Sequence, residues 1–278
     1  MVRILRFFSL KRRMVVYSNS LFFFLFISLG STAQVILEVD ADHLQIDPLG
    51  RLILLDEDLG NIWCYSNELE LIAYNQINVW GNAFQFDLND PMKPMLFFPD
   101  VNRINFFDEQ LSASTETDLD YFQLFNIQAA GNASLGGFWL FSRDENKIIR
   151  IDQSGRRLFE SSDLNFVFGG YPIVNRIGEV GNFLVLITEE GSLYTFDFFG
   201  DFQFKIQLDA NGLFYLSEDR VYYLNAEGLL SVVYLEQEGK LYGFYQVEDS
   251  FSSYSVYGSH FYGLNAKGVH KFSVLKRE

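Results

Sequence analysis

The residue types that most often do chemistry in proteins are sparse in this chain. It has three histidines, His43, His260 and His270, and one cysteine, Cys64. No histidine has a partner at the spacing of a metal site or of a nucleophile–base dyad. Cys64 lies in an apolar stretch, so we interpret it as a small buried hydrophobe, and as a lone cysteine it forms no internal disulfide. We therefore predict no catalytic residue, no metal ligand and no cofactor.

One acidic segment resembles a cation-binding loop in composition. The run Asp56-Glu57-Asp58-Leu59-Gly60-Asn61 clusters the oxygen ligands that calcium prefers. It lacks the later bidentate carboxylate of an EF-hand loop, and polar residues are also what a turn between two strands requires. We favour the turn. The sequence also contains no Gly-rich phosphate loop and no Gly-x-Ser-x-Gly nucleophile elbow.

The N-terminal segment has the pattern of a secretory signal peptide. Basic residues at positions 11–13 precede an apolar run at positions 21–29, and the small residues Ser31 and Ala33 come just before Gln34. The apolar run is shorter than the roughly 20 residues that a membrane-spanning helix needs. We predict a signal peptide over residues 1–33, a mature domain over residues 34–278, and no transmembrane helix after cleavage.

The charge of the mature chain excludes one class of partner. The whole chain carries a formal charge of -15, and residues 1–33 contain five basic and no acidic side chains, so cleavage gives -20. A protein this acidic is repelled by phosphate backbones. Nucleic acid is therefore excluded as a partner. An exported chain without a disulfide suggests a bacterial envelope, either periplasmic or associated with the outer membrane.

An internal repeat organises everything after the signal segment. A β-rich run is followed by a polar turn and a second β-rich run six times, and successive first runs begin 38 to 45 residues apart. The turns close on Gly60, Asn102, Asn146, Gly191, Gly228 and Gly268, which lie 37 to 45 residues apart. Two landmarks thus share one period, and alternating apolar residues around them indicate strands.

Each repeat can be divided into four strands, with one exception. The last repeat has strands near 254–257, 261–264 and 269–275 and then only three residues remain. The β-prone run Val35–Val39, directly after the predicted cleavage site, can supply the missing strand. Such pairing would close the ring and remove two exposed sheet edges.

The period and the strand count together predict an all-β fold, a six-bladed β-propeller with four antiparallel strands per blade. The stretches at 146–155 and 221–228 resemble the blade cores of NHL-type and quinoprotein-like propellers. That resemblance implies the fold and carries over no functional residue. The Ala33-Gln34 junction and the Phe-rich signal also resemble those of exported Bacteroidota proteins.

Propeller geometry narrows the search for a binding site. The turns between second and third strands share one face with the links between blades, and that face commonly holds the ligand funnel. Turns there supply carboxylates and one cation, and links supply aromatic side chains that could bind a protein loop, a peptide or a sugar. The alternative is that these rings fill gaps between blades. The predicted binding residues are Asp58, Trp80, Asp100, Arg143, Asp144, Phe168 and Tyr171.

Three functions fit these observations. The first is a non-enzymatic binding or scaffold protein of the envelope, with a protein partner on that face. The second is a metal-dependent, lactonase-like hydrolase with a divalent ion in the central channel. The third is a carbohydrate-binding propeller, although the blades share no Trp or Asn at one register. Fold alone does not choose among them.

Overall fold

The chain forms six four-stranded antiparallel sheets arranged as the blades of a β-propeller. The structure is a computed structural model that describes residues 34–78, 81, 85–209, 212–217 and 219–274. Within these residues, no helix is long and apolar enough to cross a membrane. The predicted signal segment lies outside the described residues.

The first strand of the chain, β1, belongs to the last blade, and blades 1 to 3 follow it in order. Blade 1 contains β2 (His43–Ile46), β3 (Leu52–Leu55), β4 (Asn61–Tyr65) and β5 (Leu71–Gln76). Blade 2 contains β6 (Gln85–Asp87), β7 (Met95–Phe98), β8 (Arg103–Phe107) and β9 (Ala113–Asp118). Blade 3 contains β10 (Ile127–Asn132), β11 (Phe138–Ser142), β12 (Lys147–Ile151) and β13 (Arg157–Glu160).

Blades 4 to 6 complete the ring. Blade 4 contains β14 (Val174–Val180), β15 (Phe183–Thr188), β16 (Ser192–Phe196) and β17 (Phe202–Gln207). Blade 5 contains β18 (Leu213–Leu216), β19 (Val221–Leu224), β20 (Leu229–Tyr234) and β21 (Lys240–Gln246). Blade 6 contains β22 (Ser253–Tyr257), β23 (His260–Asn265), β24 (Gly268–Ser273) and, as its outermost strand, β1 (Gln34–Leu37).

The N-terminal strand closes the ring as the sequence predicts. β1 pairs antiparallel with β24, with Gln34 opposite Lys271 and Val35 opposite His270. Blade 6 thereby combines the two ends of the described chain in one sheet. This pairing satisfies backbone groups that would otherwise form a free sheet edge.

In the described part of the chain, helical residues occur in short turns between strands. The one-turn helix α1 spans Asn165–Phe168 in the link between blades 3 and 4. Three 3₁₀ helices span Pro99–Val101, Leu119–Phe122 and Leu235–Gln237. The described part of the chain is thus built almost entirely from strands.

The hydrophobic core lies between the blades. Six buried clusters are found among the described residues, and each joins two neighbouring blades, the last joining blade 6 to blade 1. Between blades 2 and 3, for example, Phe106 and Phe138 lie with ring centroids 5.4 Å apart. Because each blade packs on both faces, second strands such as Leu52–Leu55 are apolar throughout, whereas the outer strand β5 is largely exposed.

The repeated Gly or Asn has a backbone explanation. All six of these residues, which close the turns between second and third strands, have positive φ angles, from 51° at Asn146 to 112° at Gly268. Glycine and asparagine tolerate this left-handed region better than other residues do. The landmark that revealed the repeat is therefore a conformational requirement of the turn.

Alternating strand direction defines two faces. We call the side that carries the turns between second and third strands and the links between blades the link face. The side that carries the turns between first and second strands is the opposite face. The innermost strands, β2, β6, β10, β14, β18 and β22, surround the central axis.

Candidate functional site

An axial cavity of about 660 Å³ lies at the centre of the ring and opens on the link face. All six innermost strands line it, mainly with their first residues, which are the ends nearest the link face. We call this the axial cavity. Its volume is in the range of small-molecule and peptide sites.

Two of the innermost strands are bulged where they form the cavity wall. The pairing of β10 with β11 shifts register between Ile127 and Ala129, so that Gln128 is the additional residue. The pairing of β14 with β15 shifts between Val174 and Arg176, so that Asn175 is additional. A bulge bends its strand and changes the direction of the neighbouring side chains. Gln128, Asn175 and Arg176 all line the cavity.

Amide side chains connect the innermost strands of blades 2, 3 and 4. Gln85 Nε2 donates to the carbonyl oxygen of Gln128 at 2.6 Å, and Gln85 Oε1 accepts from the backbone N–H of Ala130 at 3.0 Å. Gln128 Oε1 accepts from the backbone N–H of Val174 at 3.0 Å. These bonds fix one side of the cavity wall as a rigid unit.

Arg176 is a charged residue on the wall of the axial cavity. Although it belongs to blade 4, its charge acts on the pKa values of His43 in blade 1, Asp87 in blade 2 and Tyr254 in blade 6. Burial lowers the pKa of Arg176, and the nearby Asp87 and Tyr254 oppose that shift. Within the described part of the chain, its side chain has no hydrogen-bond or ion-pair partner.

Asp87 lies deep in the same cavity and already has donors of its own. Its Oδ1 accepts from the backbone N–H of Asn89 at 2.9 Å, and its Oδ2 accepts from that of Asn132 at 2.6 Å. Burial raises the pKa of Asp87, and these two hydrogen bonds act in the other direction. The carboxyl group is therefore satisfied without a direct bond to Arg176.

Close backbone packing and two tyrosines narrow the channel below the cavity. A Cβ on Gly131 would lie 2.6 Å from the carbonyl oxygen of Ile177, so only glycine lets β10 and β14 approach here. Tyr215 Oη donates to the carbonyl oxygen of Ile46, and Tyr254 Oη donates to that of Leu213, both at 3.1 Å. Tyr215 also lines a smaller cavity, of about 260 Å³, on the opposite face, so its ring lies between the two.

Polar and acidic groups surround the mouth of the axial cavity. His43 Nε2 contacts Glu57 Oε1, and burial lowers the pKa of the imidazole in spite of that contact. Asn126 lies on the cavity wall and donates from Nδ2 to Asp144 Oδ1 at 2.7 Å. Asp100 and Glu189 complete the acidic part of the mouth.

The residues predicted from the sequence fall in different places on the link face. Asp100 lines the cavity and Asp144 is bonded to its wall, whereas the exposed Asp58 and Arg143 lie on turns outside it. Trp80 lies outside the described residues.

The two predicted aromatic residues have different environments. The Phe168 ring packs edge-on against Phe141 of blade 3 and Tyr194 of blade 4, at 5.8 and 4.8 Å, as expected for a ring that fills a gap between blades. Tyr171 is 64% exposed. Its hydroxyl accepts a hydrogen bond from Asn165 Nδ2 at 3.3 Å.

Exposed apolar side chains accompany Tyr171 on the link face. Phe166, in α1, is fully exposed at 102% of its reference area. Phe125 is 53% exposed beside Asn126, and Ile173 is 43% exposed at the cavity wall. These four residues, Phe125, Phe166, Tyr171 and Ile173, form what we call the apolar rim.

Arg176 and Asp87 are the functional candidates that the sequence analysis did not find. A usable signal was present in β14, since Arg176 is a lone cation in a predicted innermost strand next to apolar residues. The position of its side chain depends on the bulge at Asn175, which the sequence pattern does not show. Cys64 is buried, and burial raises its pKa to about 11, which matches a structural role.

Comparison with known proteins supports the fold. No family model matches the chain, and no curated protein matches it. A solved structure of streptogramin B lyase superposes with a TM-score of 0.57 at 10% identity, covering 89% of this chain and 88% of that one.

Two further structures give similar values. Virginiamycin B lyase from Staphylococcus aureus has a TM-score of 0.55 at 10% identity, covering 88% of this chain and 89% of its own. The Cps50 (Swd1) β-propeller domain of Myceliophteria thermophila has a TM-score of 0.57 at 9% identity, covering 88% of this chain and 100% of that domain. At this identity the matches show a shared propeller fold only. The chain is a six-bladed β-propeller.

Proposed function

We propose that this protein is a non-enzymatic binding protein that engages a protein partner through its link face. The observation that carries the proposal is the axial cavity, which opens on that face and is lined by Arg176, whose side chain has no hydrogen-bond or ion-pair partner among the described residues. The apolar rim lies on the same face and offers exposed aromatic area, which is enriched at protein interfaces.

The charge at the centre of the cavity weighs against the metal-dependent hydrolase. A divalent ion on the axis would lie close to the Arg176 guanidinium, which stays protonated in proteins. The described residues also contain no group of three His, Cys, Asp or Glu side chains placed to hold a metal ion. The lyases with the same fold are about 10% identical to this chain, so their named activity supports no matching proposal.

We further propose that the protein works in the bacterial envelope, either in the periplasm or at the outer membrane. The support is the sequence of residues 1–33, with its basic start, its short apolar run and its small residues before Gln34. The described residues of the closing strand are Gln34–Leu37, and cleavage at the predicted site would keep all of them in the mature chain.

Paired surface variants test the role of the link face. One variant carries Phe166→Ser and Tyr171→Ser on the apolar rim. Its matched control carries Leu49→Ser and Leu135→Ser on the opposite face, where these two leucines are 58% and 69% exposed. All four side chains are largely exposed, so neither variant should lose stability. Each protein is immobilised and exposed to an envelope extract, and retained proteins are quantified by mass spectrometry.

The proposal expects a partner that the unmodified protein and the opposite-face variant retain equally and that the rim variant loses at least tenfold. Equal retention by all three proteins would contradict a link-face interface. Loss only in the opposite-face variant would move the interface to the other side of the ring.

A further inference from the structure

We propose that the axial cavity binds a carboxylate group and that Arg176 is the residue that receives it. This inference rests on the proposed function and names the chemistry of the ligand at the same site. The carboxylate is either the C-terminal end of a polypeptide or part of a small organic acid. Both sources present the same planar anion to the guanidinium.

Arg176 has guanidinium donors that no described residue accepts. A guanidinium has five N–H donors, and leaving them unpaired inside a protein costs free energy. Arg176 is half-buried, and burial lowers its pKa. The side chain nevertheless lines an open cavity, so a ligand can reach it from the link face. A bound anion would supply the partner that the described residues do not.

The surroundings of Arg176 favour a singly charged anion. Asp87 is close enough to affect its pKa but is occupied by two backbone N–H groups. The mouth carries Asp100 and Glu189, and His43 contacts Glu57 there. The carboxylates at the mouth would repel a dianionic phosphate as it entered, and the single positive charge of Arg176 would neutralise half of its charge. A carboxylate needs one cation and fits the two parallel donors of a guanidinium.

The rest of the cavity suits the uncharged part of such a ligand. Asn175 projects from the bulge beside Arg176, and its amide has no side-chain hydrogen bond within the described residues. The apolar rim continues outward from Ile173.

The test uses peptide pools of defined end chemistry. Two pools of N-acetylated random hexapeptides are prepared, one with free C-terminal carboxylates and one with C-terminal amides. Each is passed over immobilised mature protein, and retained peptides are quantified by mass spectrometry. Benzoate and acetate are tested separately on the soluble protein by calorimetry, which distinguishes a small acid from a peptide end.

Two substitutions remove the same charge at different places. Arg176→Gln removes the cation in the cavity, whereas Arg156→Gln removes an exposed cation on the opposite face, in the turn between β12 and β13. Arg176→Lys keeps the charge but loses the two-pronged geometry. Circular dichroism and thermal unfolding show whether each variant is folded. If Arg176→Gln does not fold, the end-group preference of the unmodified protein and the Arg176→Lys variant decide.

We expect the unmodified protein and Arg156→Gln to retain free-carboxylate peptides at least tenfold over amides. Arg176→Gln should lose that preference, and Arg176→Lys should lose part of it. Binding of benzoate or acetate that depends on Arg176 would equally support the inference and point to a small acid.

Two results would overturn the inference, and they differ in their consequence for the proposed link-face interface. Equal retention of both pools, unaffected by Arg176→Gln but lost on changing Phe166 and Tyr171, would remove the carboxylate and keep the link-face interface. No binding of either pool or of either acid would remove the carboxylate, while the surface-variant experiment would judge the proposed function separately.

Discussion

His43 is a histidine at the mouth of the axial cavity, where its imidazole contacts Glu57. Burial is the largest influence on it and lowers its pKa; Glu57 and Asp42 oppose that shift and Arg176 adds to it. The unfolded chain should titrate this group near pH 6.5. Below that value the unfolded state binds more protons than the folded state, so the free energy of unfolding falls as the pH falls.

We therefore expect His43→Gln to lose less stability on acidification than the unmodified protein. The measurement is urea unfolding at several values between about pH 7.5 and pH 5, since the unfolded pKa is about 6.5. His260→Gln, on β23 outside the axial cavity, is the comparison variant: burial and Lys271 lower the pKa of His260 as well, so this substitution should change the pH profile in the same direction. Identical pH profiles for His43→Gln and the unmodified protein would show that His43 does not titrate differently in the two states.

At the scale of the element, the turn before β24 is the most constrained turn of the closing blade. Gly268 has a φ of 112°, and a Cβ there would lie far inside contact distance of the Leu37 carbonyl oxygen on β1. Gly268→Ala should therefore both strain the turn and push the closing strand away. We expect a loss of about 1–3 kcal/mol in the free energy of unfolding, as for other overpacked sites.

Gly258 offers a matched control in the same blade. Its φ of 59° is also left-handed, but nothing lies within 4 Å of a Cβ built there. Gly258→Ala should cost only the backbone preference, about 1 kcal/mol. Chemical denaturation of both variants measures the difference, and equal losses would argue that the contact with Leu37 contributes nothing.

The strands could be predicted from the sequence because the repeat records a backbone requirement. The left-handed turn residue and the apolar second strand recur in every blade, and the predicted bounds 254–257 and 261–264 lie within one residue of those of β22 and β23. The closing strand followed from counting strands. The site was harder to predict from the sequence, because its wall depends on two bulges that shift the register by one residue.

Phe168 is a residue that the sequence suggested for the binding surface and that the structure places between two blades. An aromatic residue in a polar link is compatible with either a binding surface or packing between blades. The structure places its ring between Phe141 and Tyr194, so the adjacent Phe166 and Tyr171 carry the exposed area. Which of several nearby rings points outward depends on the one turn of helix α1, and the composition of the link does not encode it.

At the scale of the whole molecule, ring closure depends on a strand next to the predicted cleavage site. β1 begins at Gln34, and its pairing with β24 joins the start of the mature chain to blade 6. Cleavage several residues further on would remove that strand and leave β24 with an open edge. The signal peptide must therefore be cleaved before β1 if the ring is to close.

We expect the full chain, expressed in a Gram-negative bacterial host, to yield a protein that begins at Gln34, which intact-mass measurement would show. Signal peptidase requires small residues one and three positions before the cut, here Ala33 and Ser31. Ala33→Phe should therefore leave most of the chain uncleaved, whereas Thr32→Phe, at the unconstrained position between them, should be processed normally. A mature start beyond Leu37 would contradict the prediction, because a ring closed by β1 could not then form. If the unmodified chain were not cleaved, residues 1–33 would be retained and the prediction of a cleaved signal peptide would be wrong. The closing strand would still be present in that chain.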